Sequence, residues 1–142
     1  MLSSMDLVSD LNKGQQFVNN RNYDDAEALL VDIISLLERK KADFERDEIL
    51  AKAYNFLGLV LYKKVEFDRA VSYYDKAIQM NTSLAAAYYN RGTIRYRLGV
   101  YDDAVSDMEK AVKLEPENVE FEFGLNESLL ALKHCTLNAE EL

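Results

Sequence analysis

The chain has 142 residues, 49% hydrophobic and 30% charged, with a formal net charge of −8, one proline, five glycines and one cysteine. That size and balance suit one globular domain or a short array of repeats, not a disordered chain. The negative charge argues against nucleic acid and anionic membranes as partners, because both need a basic face.

The opening residues, MLSSMDLVSD, lack a basic start and an apolar stretch, so no secretory leader is expected. The most apolar window, Ala28 to Leu37, is too short to span a bilayer and is interrupted by Asp32. A lone Cys135 cannot form an internal disulfide. These features predict a cytoplasmic or nuclear protein in a reducing compartment.

The composition is rich in Ala, Leu, Glu, Lys and Asp, which favours helix. In chain order, residues of about 7–40 show helical spacing around Gly14, Phe17, Tyr23, Ala26, Leu30 and Ile33. Asp10 and Lys13 occupy apolar slots of that pattern, so this segment should be the least stable. A junction insertion of about 39–50 follows, with Arg39-Lys40-Lys41 ahead of Glu45, Arg46, Asp47 and Glu48, and reads as solvated. Residues of about 51–84 then give two helices, Tyr54–Lys64 and Phe67–Met80, broken at Val65-Glu66. Residues of about 85–118 repeat the pattern, with a break at Leu98-Gly99-Val100 where glycine suits a left-handed helix end. Asn118 is placed to cap one last helix over about 119–134.

The second and third segments are copies. At an offset of 34 residues, Tyr54, Gly58, Tyr62, Asp68, Ala70, Val71, Ser72, Lys76 and Ala77 recur as the same residue types from Tyr88 to Ala111. Small residues at Gly58, Ala70, Gly92 and Ala104 allow two antiparallel helices to approach closely, and Tyr54, Phe67 and Tyr74 fill the wider gaps. A single such hairpin cannot bury its apolar face, whereas about three stacked hairpins and a cap can.

The period, the residue pattern and the closing Pro116 resemble the tetratricopeptide repeat, with Thr82 departing from the usual proline in the middle copy. The resemblance implies an all-α fold, a right-handed α-solenoid of three antiparallel helix pairs plus a C-terminal capping helix. It also implies a non-catalytic adaptor whose first helices line a groove for a peptide segment of a partner protein. The groove-facing stripe would carry Asn12, Gln15 and Asn19, with Val8 and Leu11, from the first repeat. The second would give Lys52, Asn55, Phe56, Leu59 and Lys63; the third Tyr89, Asn90, Thr93 and Arg97, with Ala86. Lys52, Lys63 and Arg97 have no carboxylate among them, and Asp68, Asp75, Asp102, Asp103, Asp107 and Glu109 crowd the second helices. A mildly acidic peptide is therefore the expected partner, with the alternative that charge on this face is incidental. The family's best-known activity is gripping the terminal carboxylate of heat-shock chaperone tails. At the matching places stand Leu11, Gln15, Phe56, Ala86 and Asn90, which supply no cation, so that activity is not expected.

Chemistry is otherwise sparse. His134 and Cys135 lack an orienting third group, two neighbouring ligands make a poor metal site, and no cofactor motif appears. Asp24-Asp25 and Asp102-Asp103 open second helices, where negative charge suits the dipole. Arg91 and Arg95 fall where the middle copy has Leu57 and Leu61, and need partners; Glu122 and Glu127 are the expected ones, a bound ligand the alternative. Phe121 and Phe123, two apart on one helix, cannot both be buried. This motivates a second reading, a self-associating homo-oligomer or a subunit of a larger assembly.

Overall fold

The computed structural model describes residues 4–140, and among them seven α-helices and no strand. They run α1 Ser4–Asn19, α2 Tyr23–Arg39, α3 Phe44–Lys63, α4 Phe67–Met80, α5 Ala85–Arg97, α6 Tyr101–Leu114 and α7 Val119–Glu140. The chain divides into two compact units, Met1–Thr82 and Ser83–Leu142.

In the first unit α1 packs on α2, α2 on α3 and α3 on α4. The apolar spacing of α2 buries Ala26, Leu30, Ile33, Ile34 and Leu37. Across from it α3 buries Leu50, Ala51, Ala53, Tyr54, Leu57, Gly58, Val60 and Leu61, and α4 contributes Ala70, Tyr74 and Ala77. Gly58 is where α3 and α4 touch: a Cβ there would sit 2.5 Å from a Tyr74 ring carbon. Tyr74 is itself only 1% exposed, so the ring has nowhere to move.

The turn within each pair is the same object three times. The amides of Asn22, Glu66 and Val100 donate to the carbonyls of Phe17, Leu61 and Arg95, five residues back, and the preceding residue takes a left-handed φ. Those preceding residues are Arg21 (φ 61°), Val65 (φ 62°) and Gly99 (φ 79°). Each is the C-terminal closure that satisfies the last helix carbonyls. Only one copy uses glycine.

Two boundaries differ from the sequence expectation. The junction of about 39–50 is mostly helix, since α3 begins at Phe44, where the Asp43 carboxylate accepts the Arg46 amide at 2.7 Å. The Arg46 guanidinium folds back onto the Lys40 carbonyl at 3.1 Å and onto Asp47, anchoring the new helix start. The inserted residues thus lengthen a helix instead of bulging as a loop. The last helix also continues past 134 to Glu140.

In the second unit α6 packs on α5, and α7 packs on both. Asn118 caps α7 as expected, accepting the Phe121 amide at 3.2 Å. Phe121 is buried among Ala85 and Ala111 and stacks on Tyr89 with ring centroids 4.8 Å apart. Phe123 is 67% exposed, so the two phenylalanines divide as their spacing requires. Gly124 lets α7 settle: a Cβ there would lie 3.0 Å from the Met108 sulfur.

Candidate functional site

On α1, Asn12, Gln15 and Asn19 are exposed, and the Gln15 amide donates to the Asn19 side chain at 3.0 Å, one turn along. On α3, Lys52 and Lys63 are exposed, whereas Asn55, Phe56 and Leu59 are half-buried. Phe56 reaches toward α1, its ring lying 3.7 Å from where a Cβ of Gly14 would stand. These residues belong to the first unit.

In the second unit Arg97 is exposed and Asn90 half-buried on α5. Tyr89 and Thr93 are turned toward α7. The Tyr89 ring stacks on Phe121 and its hydroxyl donates to Glu120 at 3.1 Å. Both line a cavity of about 190 Å³ together with Tyr96, Met108, Phe123, Gly124, Glu127 and Ser128. The sequence placed them on the stripe because α5 spacing is helical, but α7 covers this part of the helix.

The stranger pair, Arg91 and Arg95, has a different partner from the expected Glu122 and Glu127. Asp107 of α6 is 3% exposed and accepts from Arg91 Nη2 at 2.7 Å, Arg91 Nε at 3.0 Å and Arg95 Nη1 at 2.7 Å. Both carboxylate oxygens are engaged, one by each end of the Arg91 fork, which is the geometry that offsets the desolvation of a buried ion. Asp107 is therefore interior, not part of an acidic outer face; Asp68, Asp102, Asp103 and Glu109 are exposed, and Asp75 is half-buried. Middle-copy positions Leu57, Leu61 and Tyr73 stand where Arg91, Arg95 and Asp107 stand in the third, so a polar triad replaces an apolar one.

A second charged cluster ties the first unit together. Lys64 Nζ lies 2.6 Å from Asp24, 3.5 Å from Glu27 and 3.6 Å from Glu66, and Arg69 lies 3.1 Å from both Glu27 and Glu66. The hydrogen bond to Asp24, with the neighbouring carboxylates, raises the Lys64 pKa above its ordinary value. The Tyr54 hydroxyl donates to Glu38 across α2 and α3. Burial first, and then the carboxylate it bonds, push that phenol well above its usual range; burial does the same to Tyr74.

His134 and Cys135 are exposed on α7. Among the described residues no three His, Cys, Asp or Glu side chains are grouped to hold a metal, and no helix is long and apolar enough to cross a membrane.

Residues 51–83 and 85–118 each match a family model for the tetratricopeptide repeat. The chain is a tetratricopeptide repeat protein. No curated protein sequence is significantly similar to it. Among solved structures, it is similar to the first tetratricopeptide domain of Spaghetti (RPAP3), bound to the HSP90 peptide SRMEEVD. That match has 23% identity and a TM-score of 0.79, over 93% of this chain and 99% of that one. The Arabidopsis OM64 tetratricopeptide domain matches at 21% identity and a TM-score of 0.73, over 86% and 93% of the two chains. The yeast Sti1 TPR2B domain, in complex with an Hsp70 peptide, matches at 16% identity and a TM-score of 0.75, over 89% and 98%. With these tetratricopeptide neighbours, the fold is an all-α helical repeat solenoid.

Proposed function

We propose that this tetratricopeptide protein is a non-catalytic interaction module that holds an extended, mildly acidic peptide segment of a partner protein. The observation that carries the reading is the charge on the first helices. The stripe residues Lys52 and Lys63 of α3 and Arg97 of α5 are exposed, whereas Arg91 and Arg95 of α5 are engaged by Asp107 and are not counted with them. In a chain of net charge −8, exposed cations on these helices would attract negative segments and speed their encounter. Asn12, Asn55 and Asn90 would bond the peptide backbone, and Phe56 and Leu59 would take an apolar side chain. Tyr89 and Thr93, covered in part by α7, would contribute at the edge. Peptide binding by the Spaghetti and Sti1 domains supports the class of activity.

The test is a fluorescence-anisotropy panel of extended peptides of graded charge, read against wild type and a Lys52→Glu, Lys63→Glu, Arg97→Glu variant checked by circular dichroism. Acidic peptides should bind wild type and lose at least about tenfold, some 1.4 kcal/mol, in the variant. Equal binding of acidic peptides to both proteins would show that the face is not the working surface.

A further inference from the structure

α7 is apolar on two opposite faces. Phe121 and Ser128 are buried, against α5 and α6, while Val119, Phe123, Leu130 and Leu137 are 78%, 67%, 52% and 45% exposed. With Asn126 and Lys133, the exposed four follow alternating steps of four and three residues, the spacing of a coiled-coil seam turned away from the buried face. We propose that this seam pairs antiparallel with the same seam of a second copy, the two-fold axis passing level with Ser128.

The register follows from the residues. A parallel pair would set Lys133 against its own copy inside the seam. The antiparallel pair sets Val119 against the second copy's Leu137 and Asn126 beside the second copy's Leu130. It also lays the Lys133 stem along the second copy's Phe123. On that same flank the ammonium group comes level with the second copy's Glu122, and symmetry makes this contact twice. One contact opposes it: Glu127 falls near its own copy beside the axis. A seam along one 22-residue helix is smaller than the roughly 1,600 Å² of a standard interface, so the pairing is reversible, with Kd in the micromolar range.

Sedimentation velocity on the full chain, from about 1 to about 300 µM, tests it. Wild type should pass from monomer to dimer and Leu130→Glu should stay monomeric. Lys133→Glu should weaken pairing about tenfold, and adding Glu122→Lys to it should restore pairing. Glu127→Gln should tighten it. If Leu130→Glu loses helicity by circular dichroism, the exposed charge variants decide alone. A wild type that remains monomeric throughout overturns the proposal. So does a dimer indifferent to Leu130→Glu and Lys133→Glu, which would lie on another surface, or a charge exchange that fails to restore what Lys133→Glu removed.

Discussion

Val65 shows how far a single residue departs from what its position asks for. At φ 62° a β-branched side chain is crowded by its own backbone, and its 70% exposure means it buries little in return. The third repeat places Gly99 at the same step, and the hydrogen bonds around the two turns are alike. Val65→Gly should therefore raise stability by about 1 kcal/mol, the relieved strain exceeding the entropy that glycine adds to the unfolded chain. A urea midpoint that stays put or falls would mean the valine is not strained. The sequence made the break at Val65-Glu66 and at Gly99 legible, because helical spacing stops there in both copies. It did not reveal that Arg21 and Val65 adopt the glycine conformation, since neither residue type signals it.

At the level of elements, most helices could be read from period and caps: the Asn118 cap, the paired second and third hairpins, and the split between Phe121 and Phe123. The start of α3 could not, because its first turns are a mixed-charge run whose helix depends on Asp43 and on the Arg46 guanidinium, not on an apolar stripe. Nor could the partner of Arg91 and Arg95, since a carboxylate on a second helix reads as solvated until α5 is laid against it. The packing of α2, α3 and α4 carries its own pH signature. Tyr54 and Tyr74 hold their protons in the folded state beyond the pH at which the unfolded chain releases them, near 10, and Lys64 holds its proton more tightly in the same sense. The folded state then binds more protons than the unfolded one, so stability falls as pH rises above about 10. Each such group adds a slope of at most about 1.4 kcal/mol per pH unit. Tyr54→Phe should make the decline shallower in urea melts between pH 9 and about 11.5; an unchanged slope would show that neither burial nor the Glu38 contact holds the phenol proton in the folded state.

For the molecule as a whole, the likeness to solved tetratricopeptide domains gives the fold, and the proposed ligand differs from the peptide bound by the Spaghetti domain. The Spaghetti peptide, SRMEEVD, ends in an aspartate, which one valine separates from two glutamates. At the places where the tetratricopeptide resemblance implies a grip on such an end, this chain has Leu11, Gln15, Phe56, Ala86 and Asn90, with no cation among them. Titration calorimetry with SRMEEVD should give a Kd weaker than about 100 µM, with little change when the terminal carboxylate is amidated. Low-micromolar binding that depends on that carboxylate would return the chain to the chaperone-tail binders.

The Asp107 triad also bears on how such chains are copied and recombined. Leu57, Leu61 and Tyr73 in one hairpin and Arg91, Arg95 and Asp107 in the next are two self-consistent sets, each split between a first and a second helix. A graft of α3 sequence into α5 alone would strand a buried carboxylate between leucines, at a cost of about 3–5 kcal/mol, while a graft of the whole hairpin would carry its partner along. The heritable module is therefore the hairpin. Recombination points within the turns at 64–66 or 98–100 should yield poorly folded chimaeras, and crossovers at 81–84 should yield soluble ones.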